Sequence, residues 1–130
     1  MPSQFKLLGE KESLCFGKGC SITRDPWPFF DAKGGGIEFR DNVVISSGVH
    51  VFTHDHQFHK KNWRELDEVT PTEPTIICDN VFLGVNTLIM HTCKRIGENS
   101  VIGAGSVVTK NVPNNEIWAG NPATKIGKVE

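Results

Sequence analysis

The residues best suited to proton transfer in this chain are its five histidines: His50, His54, His56, His59 and His91. An imidazole titrates near neutral pH, so it can take a proton from a hydroxyl group and return it. Three of the five lie in the segment VHVFTHDHQF at 49–58. His54 and His56 are two positions apart, and they project from the same face if the strand continues. Each is a candidate general base; the alternative is a polar loop residue with no role.

Other reactive side chains are less informative. The four cysteines have no CxxC spacing and no secretory context, so neither a disulfide framework nor a zinc site is expected, and small buried thiols are the preferred interpretation. The formal net charge of -1 and the pI near 6.5 do not favour a nucleic-acid partner. No apolar run is long enough to cross a membrane, and the N-terminus lacks the apolar core of a signal peptide. A cytoplasmic location is therefore expected.

The element that must position the histidines is a repeat. From Ile77 an aliphatic residue returns at intervals of six, six, seven, six and six, at Leu83, Ile89, Ile96, Ile102 and Val108. A helix would place apolar residues three and four apart and a simple strand two apart. A six-residue period is typical of the hexapeptide repeat of a parallel β-helix. The single seven-residue step predicts one extra residue at a corner.

Each six-residue unit supplies one short strand and a corner, so three faces make a coil of about 18 residues, and coils stack about 4.8 Å apart. Inward positions then hold Ile, Leu and Val. Corners favour Gly, Asn or Asp, which tolerate left-handed backbone conformations. Asp-Asn at 41–42 and 79–80, Glu-Asn at 98–99 and Lys-Asn at 110–111 fall at one phase of the repeat. The two signals together predict an all-β prism.

Three interruptions complete the predicted architecture, a single domain over 1–130. Two are excursion loops: 25–36, with two prolines and three glycines, and 57–75, which is polar and contains two prolines. The third is an irregular C-terminal arm at 113–130. Trp27, Phe29 and Phe30 in the first loop are too apolar for solvent, so they are expected to fold back or to contact another subunit. The bare ends and flat faces of a prism predict an oligomer.

Three segments resemble a known family: VHVFTHDHQF (49–58), IGENSVIGAGSVVTKNVPNN (96–115) and IWAGNPATKIGK (117–128). They are similar to the hexapeptide-repeat acyltransferases, which fold as a left-handed parallel β-helix, and most similar to the galactoside and maltose O-acetyltransferase group. The likeness covers about 37–128 of the chain. It implies a homotrimer with active sites between subunits, acetyl-CoA as co-substrate, a sugar-like acceptor hydroxyl and no required metal. The loop at 57–75 would reach over a neighbouring subunit.

The resemblance also implies roles for individual residues. The family's base falls on His56, seven residues after Val49, with His54 as the alternative. Asp55, Glu65 or a backbone carbonyl would orient the imidazole. The backbone N–H of Val85 is expected to stabilise the oxyanion.

Asp31 is the nearest polar candidate for a contact with the acceptor. The same likeness predicts a coenzyme site at Ala104, Thr109 and Lys110. Lys125 and Lys128 would provide positive charge for the phosphates. Trp118 could stack on the adenine, although packing of the arm onto the prism is the preferred interpretation.

Three alternatives remain at this point. The acceptor could be an amino sugar, serine or an antibiotic with the same fold and coenzyme. A zinc lyase of the carbonic anhydrase type would use three histidines across a subunit boundary, here His50, His56 and His91. A non-catalytic trimer that has kept only the fold is the last.

Overall fold

The computed structural model describes residues 5–56, 58–65 and 72–130. Its strands are short and follow one another around a prism, with one 3₁₀ turn at Lys11–Ser13. In chain order the strands are β1 (Lys6–Leu8), β2 (Leu14–Phe16), β3 (Ser21–Ile22), β4 (Phe29–Asp31), β5 (Ile37–Phe39), β6 (Val44–Ile45), β7 (His50–Phe52), β8 (Thr75–Ile77), β9 (Phe82–Leu83), β10 (Leu88–Ile89), β11 (Arg95–Ile96), β12 (Val101–Ile102), β13 (Val107–Val108), β14 (Glu116–Gly120) and β15 (Ala123–Lys128). The described residues contain no helix long and apolar enough to cross a membrane.

Three sheets form the faces of the prism, and every third strand returns to the same sheet. The first sheet has the order β1-β4-β7-β10-β13, the second β11-β8-β5-β2, and the third β15-β14-β12-β9-β6-β3. All pairs are parallel except β14 with β15. This is the parallel β-helix expected from the six-residue period, and it agrees with the left-handed form that the resemblance implied.

The inward positions of the repeat form the core. In the third sheet Ile45, Leu83 and Ile102 are in register and fully buried. Ile77 with Ile96 in the second sheet and Val51 with Ile89 in the first are arranged in the same way. The step of seven residues is absorbed at the corner after β10, where the N–H of Cys93 donates to the carbonyl of Met90 at 2.9 Å.

Asparagines take left-handed conformations at the corners, with one exception to the prediction. Asn42, Asn80 and Asn99 have φ of 59°, 61° and 62°. Asn111 is not among the residues with positive φ. Its side-chain oxygen instead accepts the N–H groups of Lys94 and Arg95 of the coil below, at 2.7 and 3.1 Å. The chain has begun to leave the repeat there, so this asparagine caps a corner instead of forming one.

The first predicted loop, 25–36, contains a strand. β4 lies between β1 and β7 in the first sheet. The expectation that no regular element occurs there was wrong, because the prolines and glycines flank the strand and leave Phe29, Phe30 and Asp31 free to pair. Phe30 is fully buried, and its ring centroid lies 5.1 Å from that of Phe39. The prediction that these aromatics fold back is confirmed for Phe30.

The C-terminal arm is also more regular than predicted. β14 extends the third sheet by pairing with β12, and β15 folds back on β14 as an antiparallel hairpin. Trp118 pairs with Ile102 and packs against the core, and its Nε1–H donates to Glu116 at 2.9 Å. That hydrogen bond, with Lys125 3.3 Å away, lowers the pKa of Glu116. The hairpin forms because the last strand of a coil would otherwise present unpaired backbone groups.

The second predicted loop interrupts the prism between β7 and β8. Its described residues, 58–65 and 72–74, form turns and irregular backbone, and Gln57 and 66–71 lie outside the described residues.

The four thiols are free. Cys78 and Cys93 are buried as expected, and burial raises the pKa of Cys93 to about 12, whereas Cys15 is exposed and Cys20 half-buried.

Candidate active site

Two neighbouring coils bring together a carboxylate and a histidine at the edge between the first and second sheets. Asp31 ends β4, and His54 follows the adjacent strand β7 by two residues. The Nδ1 atom of His54 lies 2.5 Å from Oδ2 of Asp31. The Asp31 side chain is 1% exposed and that of His54 16%. The pair is therefore almost enclosed, with part of the imidazole reaching the surface.

Backbone N–H groups donate hydrogen bonds to both oxygens of the Asp31 carboxylate. Oδ1 accepts the N–H of Lys33 at 3.0 Å, and Oδ2 accepts the N–H of Thr53 at 3.2 Å. The Thr53 hydroxyl donates to the Asp31 carbonyl and accepts the N–H of Gly34, both at 2.8 Å. A β-carbon at Gly34 would lie 2.0 Å from the Thr53 carbonyl oxygen, so only glycine allows this approach. These donors suit an ionised carboxylate, because each satisfies an acceptor position that burial removes from water.

This arrangement determines the chemistry available to His54. An ionised carboxylate only accepts hydrogen bonds, so Nδ1 of the neutral ring must carry the proton shared with Asp31. The lone pair is then on Nε2, and the ring is oriented as in bases that take a proton from a hydroxyl. Asp31 was predicted to contact an acceptor. The structure shows it almost fully buried and in contact with His54, so it is also a candidate for the orienting role that the sequence assigned to Asp55, Glu65 or a carbonyl.

His56, the other candidate base, lies beside His54. The two ring centroids are 5.7 Å apart, and the His56 backbone N–H donates to Asp55 at 2.7 Å. Its ring also contacts Phe58 and Trp63, with centroids 5.2 and 5.4 Å away. Both predicted bases thus belong to one cluster at the start of the loop.

The remaining histidines have separate surroundings. His91 lies 3.7 Å from the other oxygen of Asp55, and the His50 ring contacts those of Phe29 and Phe52 in the first sheet, with centroids 5.7 and 6.0 Å away. The His50 Nδ1 atom is 2.8 Å from the carbonyl of Gly48. Within the described ranges, no group of three or more His, Cys, Asp or Glu side chains is arranged to hold a metal ion.

The residues predicted for the coenzyme and the oxyanion are mostly elsewhere on the prism. Val85 and Ala104 occupy exposed corners that precede β10 and β13, between the third and first sheets. The Val85 carbonyl accepts the N–H of Gly105 at 2.8 Å, and none of the described residues accepts the Val85 N–H. Thr109 and Lys110 instead follow β13, as His91 follows β10. Lys125 and Lys128 lie exposed on β15.

Two edges of the prism therefore carry the predicted site. We call the corners that follow strands of the first sheet the histidine edge (His54, His56, His91), and those that precede them the amide edge (Val85, Ala104). Val85 and His91 are separated by one strand and its corners, about six residues. At about 3.3 Å per extended residue, the edges are up to roughly 20 Å apart. His54 and Val85 therefore lie at opposite edges of the first sheet in one chain.

The fold and this edge chemistry define a hexapeptide-repeat protein, and comparison with known proteins agrees. Residues 74–110 match the model of the hexapeptide repeat of succinyl-transferase. The chain belongs to the hexapeptide-repeat family.

Sugar acetyltransferases are among its relatives. It is 35% identical over 137 residues to the galactoside O-acetyltransferase of Lactococcus lactis, covering 93% of this chain and 66% of the relative. A maltose O-acetyltransferase from Clostridium difficile superposes with a TM-score of 0.82 at 30% identity, over 98% of this chain and 64% of that one. A galactoside acetyltransferase solved in complex with coenzyme A superposes with a TM-score of 0.72 at 26% identity, over 92% and 68%. The chain spans between 44% and 66% of the length of the first curated relatives it matches.

Because 25–36 was predicted to be a loop, the contact between Asp31 and His54 was not predicted. The signal that could have revealed Asp31 is the pair Phe29-Phe30 directly before it, because an apolar pair between turn residues is consistent with a short buried strand. A polar residue at the end of a strand lies at a sheet edge, where the neighbouring coil places Thr53 and His54.

Proposed function

We propose that this protein transfers an acetyl group from acetyl-CoA to a hydroxyl of a sugar-like acceptor, with His54 as the general base. The Asp31–His54 pair carries the proposal, because a buried carboxylate beside an imidazole can fix the ring in the orientation suited to taking a proton from a hydroxyl. Kinship with galactoside and maltose O-acetyltransferases supports the donor and the acceptor class. The reaction is assigned to the cytoplasm, where acetyl-CoA is available. His56 is the second candidate for the base.

The reaction can be written with His54 as the only proton carrier. Nε2 takes the hydroxyl proton as the acceptor oxygen attacks the thioester carbonyl carbon, and a C–O bond forms. The carbonyl oxygen becomes an oxyanion, for which the Val85 N–H is the proposed donor. Collapse breaks the C–S bond, and the imidazolium returns the proton to the departing sulfur. The products are an acetyl ester and the free thiol of coenzyme A.

The separation of the two edges supports a site shared between subunits. A base must lie within about 3 Å of the oxygen whose proton it takes, whereas the amide edge is on the opposite side of the first sheet in the same chain. In a homotrimer the histidine edge of one prism would face the amide edge of the next. A repeat whose interfaces close a ring of three requires this head-to-tail contact.

Coenzyme A is assigned to the cleft between those edges. The small side chain of Ala104 leaves room for the pantetheine arm, and Thr109 with Lys110 would contact it on the other side. Lys125 and Lys128 would attract the phosphates from the hairpin. Trp118 packs on the core through one face, so an adenine contact would use only its half-exposed edge.

The proposal is tested by mass-spectrometric detection of acetylated product and coenzyme A thiol, with acetyl-CoA and a panel of acceptors. The panel should contain methyl β-D-galactopyranoside, maltose, glucosamine, serine and glycerol. Ester formation on a sugar hydroxyl is expected. Acetylation only of the amines in the panel would reassign the acceptor, and no transfer to any member by a folded trimer would contradict the proposal.

A further inference from the structure

An aromatic surface adjoins the histidine pair in the loop after β7. Phe58 is 60% exposed, an unusual position for a phenylalanine in a segment otherwise rich in Lys, His, Asn, Arg and Glu. Trp63 is half-buried beneath it. The two ring centroids are 5.0 Å apart at an angle of 62°. The residues between them, 59–62, are exposed and polar.

The contacts of this surface run towards the site. Phe58 and Trp63 both contact the His56 ring, and His56 in turn lies next to His54. The Phe58 ring is therefore linked to the His54 ring through one intervening ring, with centroid steps of 5.2 Å from Phe58 to His56 and 5.7 Å from His56 to His54. The Arg64 guanidinium lies over the Trp63 ring, 5.2 Å from its centroid, and adds hydrogen-bond donors at the rim.

We propose that Phe58 and Trp63, which we call the aromatic platform, receive the apolar face of a pyranose ring and so position the acceptor. This inference rests on the proposed function, which leaves unexplained how the acceptor is held. A pyranose presents C–H groups on one face and hydroxyls around its edge. The C–H face would cover the exposed Phe58 ring while one hydroxyl reaches His54, and Arg64 would bind another hydroxyl.

The size of a sugar ring agrees with these distances. A pyranose spans about 5 Å between opposite substituents, so a ring that covers Phe58 and extends over His56, 5.2 Å away, would present its far hydroxyl on the His54 side. An open-chain acceptor such as glycerol has no apolar face to stack and would gain nothing from the platform. The platform therefore predicts that the protein binds ring sugars in preference to open-chain polyols.

The test compares Phe58→Ser and Trp63→Leu with the matched control His59→Ala, an exposed residue of the same loop. The ratio of kcat/KM for methyl β-D-galactopyranoside to that for glycerol should fall about tenfold in both platform variants, because one aromatic contact contributes roughly that factor. This fall should come from a higher KM for the sugar, while KM for acetyl-CoA stays unchanged. Phe58→Trp should retain the preference.

A binding measurement separates this inference from the proposed function. Saturation-transfer NMR on methyl β-D-galactopyranoside, with the protein alone, should show contact through the ring C–H protons, and Phe58→Ser should abolish it. If the sugar binds in this way and no acetyl transfer occurs, the proposed function fails and the platform stands. If the variants lower kcat/KM for sugar and glycerol equally, or dissociate the oligomer without changing the sugar preference, the rings have another role and the inference is overturned.

Discussion

The regular coils at 75–108 and the interrupted edge at 31–36 and 53–65 differ in what they bury. The coils bury aliphatic side chains in register, such as Leu83 and Ile102, and leave polar groups at the corners. The interrupted edge buries Asp31 and Thr53, at 1% exposure each, and satisfies them with backbone donors. A buried carboxylate without such donors would cost several kcal/mol. The coils therefore bury the apolar side chains that stabilise the fold, whereas the interrupted edge buries polar side chains of the candidate site.

The largest expected difference between the two regions is in stability. Ile102→Ala removes a fully buried side chain from the third sheet, and we expect a loss of about 2–5 kcal/mol in the free energy of unfolding. Phe58→Ala, at the exposed aromatic platform, should change it by about 0.5 kcal/mol or less. Both are measured by urea denaturation at one protein concentration, because subunit association would make the midpoint concentration-dependent. Equal losses would mean that the loop belongs to the folding core.

A smaller effect distinguishes two corners that look alike in the sequence. Asn80 has φ of 61°, so Asn80→Ala should cost about 1–2 kcal/mol and Asn80→Gly much less. Asn111 acts through its side-chain oxygen, so Asn111→Gly should destabilise at least as much as Asn111→Ala. The free energies of unfolding of the four variants provide the comparison. Rescue by glycine at position 111 would show that it is an ordinary left-handed corner.

These corners show what the sequence could and could not predict. The six-residue period and the Asp-Asn and Glu-Asn dipeptides predicted the prism, because each coil repeats the same local geometry. The pair Asp31 and His54 was not predictable from spacing. Its two strands are joined through corners of unequal length, so their register depends on packing across the sheet. The terminal hairpin was missed for a related reason, since its strands pair with the prism only after the period has ended.

The functional part of the comparison depends on which histidine takes the proton. His54 is fixed by a buried carboxylate, whereas His56 contacts the rings of the loop. His54→Gln and His56→Gln form a matched pair, because each keeps a polar side chain of similar size in one cluster. Asp31→Asn adds a third variant, which removes the charge beside His54 and leaves one oxygen to accept the backbone N–H groups of Lys33 and Thr53.

The most direct test is the turnover number of these three variants with acetyl-CoA and the best acceptor. Coenzyme A binding and circular dichroism confirm that each variant is folded. We expect His54→Gln to lose at least about 100-fold in kcat and Asp31→Asn at least about tenfold, with KM for acetyl-CoA unchanged. His56→Gln should retain turnover within about tenfold. Full activity in His54→Gln with an inactive His56→Gln would contradict the account and identify His56 as the base.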